Sequence, residues 1–178
     1  MRTKNLRMLI VIPLLLAGLG LACSSQRSTN DTSYKDSVQK ALEQADLKDV
    51  TVSEDRDKNT ITLGGSVHSD DAKRNAGDVA KAAAGDRIIA NEVGVQPVGT
   101  ESEAKDMASN LDDAIEKNYK AALISKGLDK EHISFDAKNG VLTLKGSVKS
   151  VPQRHEAQQL AQAIPNVHQV LDEIDVKR

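Results

Sequence analysis

Apolar residues along this chain change their spacing in a fixed order, and then do so again in the same order. Tyr34, Val38, Ala41, Leu42 and Ala45 recur at helical intervals, as do Leu111, Ile115, Tyr119, Ala122 and Leu123, so each series predicts a helix with one apolar side. Val50 and Val52, and later Ile133 and Phe135, alternate with polar residues as half-buried strands do. Polar turns lead from them into Ile61, Leu63 and Val67, or into the run Val141 to Val148. The second of these turns contains Asn139-Gly140, a strong hairpin signal because both residues tolerate the left-handed backbone of a tight two-residue turn. Ser69 and Ser150 stand where they can cap the next helix, and Asp70 and Asp71 suit its positive end. That helix buries Ala76, Val79, Ala80 and Ala83, or Ala157, Leu160, Ala161 and Ile164, and stops at Gly85 or Asn166. A last strand runs through Ile89 to Val95, or Val170 to Val176. The predicted order is α-β-β-α-β, twice.

The two passes are one sequence repeated at a shift of 81 residues, which lays Ile61-Thr-Leu-Gly-Gly-Ser-Val67 on Leu142-Thr-Leu-Lys-Gly-Ser-Val148. A period this long is a whole small domain rather than a solenoid unit. The expected organisation is therefore a domain over 34–96, a polar linker over 97–107 and a second domain over 108–178. Two positions break the inward pattern in both copies. Gly65 and Gly146 share the parity of the inward Leu and Val, which predicts structural glycines where a helix backbone approaches closely or a bulge sits. Asn91 and Asp172 place a polar side chain inward on the last strand, where it is expected to bond to backbone at a bulge or strand end.

The N-terminus changes the picture next. Arg2, Lys4 and Arg7 precede an apolar run from Met8 to Leu19, followed by small residues, the pattern of an export signal over 1–22. The run is shorter than the roughly 20 apolar residues that a membrane-spanning helix needs, and Pro13 interrupts it. It ends in Gly20-Leu21-Ala22-Cys23-Ser24-Ser25, which resembles the lipobox of bacterial lipoproteins. That resemblance implies lipidation of Cys23, the single cysteine; the polar residues that follow carry no apolar period, so 23–33 read as a flexible tether. Ser24 resembles the outer-membrane sorting pattern, so the expected location is the periplasm, with an anchor in the outer membrane.

Without the leader the chain carries 21 basic and 26 acidic residues, a formal charge of −5, with no Trp, one Phe and two Tyr. Neither an attractive field nor a stacking platform exists for nucleic acid, which is excluded as a partner. His68, His132, His155 and His168 form no metal-ligand spacing with each other or with Cys23, so no metal or other cofactor is expected. No nucleophile elbow or phosphate loop is present, since Leu63-Gly-Gly-Ser-Val67 lies within a strand, and no catalytic residues are assigned.

The Leu-x-Gly-x-Val core (Leu63, Gly65, Val67; Leu144, Gly146, Val148), followed by an alanine-rich helix, a Gly or Asn stop and a Val-rich strand, resembles the BON domain. The resemblance covers nearly all of 34–96 and 115–178, and with the lipobox the chain is similar to dual-BON lipoproteins of the bacterial envelope. It implies an α+β fold, each domain a three-stranded mixed sheet with two helices on one face. It also implies a non-enzymatic role in envelope integrity, with membrane phospholipid and envelope proteins as partners.

The first helices of the copies differ in a way that bears on such a role. At about 100° per residue, Ile124 points away from the apolar side of its helix, beside Lys117 and Lys120. The equivalent first-copy residues are Asp36, Gln39 and Glu43, so the outward triad changes from −2 to +2. Lys117, Lys120 and Ile124 are the candidate contacts for anionic lipid headgroups. The rival expectation is a periplasmic polypeptide-binding adaptor or osmotic-stress chaperone that uses an exposed sheet edge or apolar groove.

Overall fold

The structure is a computed structural model and describes residues 33–177; the leader, Cys23 and the tether up to residue 32 lie outside the described residues. The first repeat is α1 (Tyr34–Gln44), β1 (Val50–Asp55), β2 (Thr60–Val67), α2 (Asp70–Ala83), β3 (Ile88–Asn91) and β4 (Gly94–Val95). The second is α3 (Glu101–Ser125), β5 (His132–Lys138), β6 (Val141–Val148), α4 (Val151–Gln162) and β7 (Gln169–Val176). In each repeat an antiparallel hairpin, β1–β2 or β5–β6, gains a parallel third strand along β2 or β6, which gives the expected mixed sheet. The caps are as the sequence predicts: Ser69 Oγ accepts from the Ala72 N–H at 3.2 Å and Ser150 Oγ from the Gln153 N–H at 3.4 Å. Gly85 and Asn166 follow α2 and α4 in the left-handed conformation.

Three features differ from expectation. The third strand of the first repeat is interrupted, and both β3 and β4 lie parallel to β2. At the break the Glu92 N–H still reaches Leu63 O, while the Val93 N–H turns to Asn91 Oδ1 at 3.4 Å. The polar stretch expected to link the copies is largely helical, because residues 101–107 form the first turns of the 25-residue α3. Glu101 at the start of α3 accepts from the Gly99 N–H at 2.9 Å and places an acidic group at the helix's positive end. Leu111 is not a core residue but is 46% exposed. At its level Ala108 and Asp112 face the protein instead, and Asp112 accepts the backbone N–H groups of Asn139 and Gly140 at 2.8 and 3.1 Å.

The repeats keep separate interiors. One core gathers Val38, Leu42, Val50, Ile61, Leu63, Ala76 and Ala80; the other gathers Ile115, Tyr119, Leu142, Leu144, Ala157, Ala161 and Ile174. The glycines Gly65 (φ +88°) and Gly146 (φ +106°) have a shared cause that is not an approaching helix. A Cβ at Gly65 would collide with the carbonyl oxygen of Asp49, and one at Gly146 with that of His132, both at the start of the adjacent strand.

The backs of the sheets are not free to water. Ala90 and Leu171 are equivalent residues under the 81-residue shift, and they meet with Val141 in a small buried cluster between the repeats. Around it Lys73 Nζ donates to Asn139 O at 3.1 Å, Asn139 Nδ2 to Glu92 O at 2.8 Å, and Lys138 pairs with Glu92 at 3.2 Å. The Gln169 carboxamide donates to Ile89 O at 2.7 Å and accepts from the Asn91 N–H at 3.4 Å. The residues equivalent to this polar rim, Arg154, Lys58, Glu173 and Ile88, face each other across an open cleft on the other side of the cluster. The repeats thus meet about the equivalent residues Ala90 and Leu171, and the polar bonds form on one side of that pair only.

Candidate membrane-contact face

The C-terminal half of α3 is fixed against its own repeat by one side only. Ile115, Tyr119 and Leu123 are buried, the Tyr119 ring meets Phe135 edge-on at 5.0 Å between centroids, and its hydroxyl donates to Ala157 O at 3.1 Å. Burial, with a smaller contribution from Asp172, raises the Tyr119 hydroxyl pKa well above its ordinary value, so it stays a neutral donor. Glu116 completes the docking by accepting the Ala137 N–H at 3.0 Å. With these contacts set, the opposite side of the helix must face water.

That opposite side carries Lys117, Lys120 and Ile124. Both lysines are exposed, Ile124 is 55% exposed, and among the described residues neither lysine has an ion-pair partner. Asp113 lies one turn before Lys117 on the same stripe and is exposed too, so the cationic character is confined to the last two to three turns. In α1 the equivalent stripe is Asp36, Gln39 and Glu43, and Gln39 Nε2 donates to Glu43 Oε1 at 3.3 Å. The structure thus brings the three candidates onto one exposed face, and their counterparts form an acidic one.

One carboxylate of this repeat, that of Glu131, is engaged in structural bonds. Glu131 accepts from Lys149 Nζ at 3.0 Å and from Gln153 Nε2 at 3.1 Å, and the Lys149 hydrogen bond is the main cause that holds its pKa below the ordinary value. No group of His, Cys, Asp and Glu that could hold a metal ion occurs among the described residues, and no described helix is long and apolar enough to cross a membrane. What sequence reasoning missed is the seam between the repeats, made by Lys73, Ala90, Glu92, Asn139, Gln169 and Leu171. Its signal was the apolar residues at outward parity, Ile88, Ala90, Val141 and Leu171, which a sheet with one solvated face would not carry.

The fold and this face define a class: a tandem pair of α+β modules with like architecture and unlike surfaces. Comparison with known proteins gives the class its family. The BON domain profile matches residues 30–97 and 111–178, and the chain belongs to the BON domain family. It is 27% identical over 150 residues to osmotically-inducible protein Y of Escherichia coli (strain K12), an alignment covering 83% of this chain and 73% of that protein. Among solved structures, it is similar to the C-terminal domain of CdsD, a structural protein of the type III secretion system of Chlamydia trachomatis. That match has a TM-score of 0.34 at 13% identity and covers 84% of this chain and 100% of the other. A second CdsD structure gives 0.35 at 13% identity, covering 80% and 91%. Likeness at this level has no bearing on function.

Proposed function

We propose that this BON protein is an exported, non-enzymatic envelope protein, held at the outer membrane from the periplasmic side by a lipidated Cys23, that contacts anionic phospholipid and supports envelope integrity. The observation that carries the reading is the pair of unpaired lysines beside a half-exposed isoleucine on α3, set against an acidic stripe on α1. The relation to an osmotically inducible protein is consistent with service under osmotic stress.

Magnitudes assign the parts. Each lysine near an anionic surface contributes about 1 kcal/mol, and partial burial of Ile124 roughly another 1 to 2 kcal/mol. The face alone would bind in about the millimolar range. An acyl anchor at Cys23 supplies the attachment and a high local concentration, so the face need only set orientation.

Vesicle co-sedimentation of a soluble form beginning at Ser24 tests this. Binding to anionic vesicles should weaken with added salt and be lost in the Lys117→Glu, Lys120→Glu, Ile124→Asp variant. Undiminished binding by that variant would remove these residues from the site. The anchor is tested separately by mass and membrane partition: the Cys23→Ala form should become soluble and lack the acyl mass.

A further inference from the structure

Among the seam positions that differ between the repeats, one pair of equivalent residues is Ile88 and Gln169. In the first repeat the outer edge of β3 exposes Ile89 O and the Asn91 N–H, and the Gln169 carboxamide takes both, as the N–H and C=O of one residue of an added parallel strand would. In the second repeat the equivalent groups are Val170 O and the Asp172 N–H, on the outer edge of β7. The ladder fixes their direction: the N–H of Gln169 bonds toward Gly140 O and that of Lys177 toward Val148 O. Val170 and Asp172, of the alternate parity, turn away from β6. Beyond them on that edge, Asp172 O accepts from Arg154 Nη2 at 3.3 Å and Asp172 Oδ1 from the Ile174 N–H at 3.1 Å. The residue placed beside Val170 O and the Asp172 N–H is Ile88, whose side chain has no polar atom to offer.

Val170 and Asp172 line an open groove of about 540 Å³ between the repeats, walled by Ile88, Val151 and Leu171. Ile88 is 49% and Val151 67% exposed, so two apolar side chains flank an unclosed main-chain donor and acceptor. We propose that the β7 edge binds an extended polypeptide segment running parallel to it, in which one residue donates its N–H to Val170 O and accepts the Asp172 N–H with its own C=O while an apolar side chain rests between Ile88 and Val151. The seam itself identifies the ligand chemistry, since its mate site on β3 holds one N–H donor and one carbonyl acceptor side by side, as a residue of a parallel strand presents them. Unpaired strand edges recruit such segments unless blocked. This site is separate from the α3 face and does not depend on lipid.

The probe is the fluorescein-labelled peptide acetyl-Lys-Val-Thr-Val-Thr-Val-Lys-amide, titrated with the full chain, beside the same peptide N-methylated at every residue, so that neither edge can donate. The expected result is saturable binding by the unmodified peptide, with slowed hydrogen exchange at the Asp172 amide, and no binding by the N-methylated one. Ile88→Gln installs the carboxamide that the other repeat already has. It should occupy the edge from within and weaken binding by about tenfold or more while leaving the unfolding midpoint unchanged or raised. As a second variant, Val151→Glu removes an apolar wall at an exposed position and should also weaken binding. Equal affinity for both peptides, unaltered binding by a folded Ile88→Gln chain, no binding at millimolar peptide, or loss of vesicle binding rather than peptide binding in Ile88→Gln would each overturn the proposal.

Discussion

Arg154 Nε donates to Asp172 Oδ2 at 2.9 Å, and the residues one repeat earlier, Lys73 and Asn91, bond in the opposite sense, with Asn91 Nδ2 donating to Lys73 O at 2.9 Å. The same two positions thus tie the second helix to the last strand in both repeats. In the second repeat an ion pair does it, and the cation is used up within the domain. In the first a neutral amide does it, which leaves the Lys73 amine to reach Asn139 across the seam. Burial there lowers the Lys73 pKa, with Asp70 and Asp112 acting against that shift. Asp172→Ala should lower stability by about 1 to 3 kcal/mol, because it removes the partner of Arg154 and the acceptor of the Ile174 N–H. Asp172→Asn keeps that acceptor and should cost less. Urea denaturation curves of the two variants measure the difference.

The two strand glycines should be the least replaceable residues of their sheets. Gly65→Ala and Gly146→Ala each force a left-handed backbone onto alanine and drive a Cβ into a neighbouring carbonyl, so a loss of about 2 kcal/mol or more is expected. Gly127, also left-handed at φ +70° but with open space around it, should cost only about 1 kcal/mol as alanine. Similar losses at all three positions, read by thermal unfolding, would mean that the carbonyl contact is relieved by a small shift of the strand.

Tyr119 is the largest fully buried side chain, and it occupies the position of Val38 in the first repeat. Tyr119→Phe keeps the edge contact with Phe135 and loses one buried hydrogen bond, for an expected cost of about 1 kcal/mol. Tyr119→Ala should cost about 3 to 5 kcal/mol and unfold the second repeat first. Residue-resolved hydrogen exchange would show that order.

Where the second repeat buries Phe135, the first buries Glu54, which accepts from Ser33 Oγ at 3.1 Å and lies 3.7 Å from Arg87 and from Arg56. Arg87 in turn lies over the Tyr34 ring at 5.2 Å. Burial pushes the Glu54 carboxyl pKa up, but the Ser33 hydroxyl and the two guanidinium groups outweigh it and hold the net value below the ordinary 4.5. A carboxyl with a depressed folded-state pKa adds stability above its unfolded value, and that stability is lost as pH falls through the folded one. Glu54→Gln should therefore flatten the fall of unfolding temperature below about pH 4.5. An unchanged slope would show that other carboxyls dominate the acid transition.

The element order, the caps, the left-handed stops and the Asn139-Gly140 turn were legible because each rests on local chemistry within a few residues. Even the polar pair Asn91 and Asp172 announced its role, since an inward amide or carboxylate must find a backbone partner. The start of α3 was not legible. Residues 101–107 are polar throughout, and what makes them helical is propagation from the anchored turns around Ile115, with Glu101 and Asp112 tied to backbone at Gly99 and the 139–140 turn. The seam was hidden for another reason. Lys73, Glu92, Asn139 and Gln169 lie far apart along the chain and read singly as surface residues; only the folded register of both sheets brings them together.

Duplication kept the two architectures alike, and under the proposed function it gave the second repeat a lipid-facing helix. The most direct measurement is a backbone amide chemical-shift map of the protein titrated with anionic lipid nanodiscs. Perturbations are expected to centre on Lys117, Lys120 and Ile124, to fade with salt, and to be absent at Asp36, Gln39 and Glu43. Perturbations centred on α1, or none on either helix, would contradict that function.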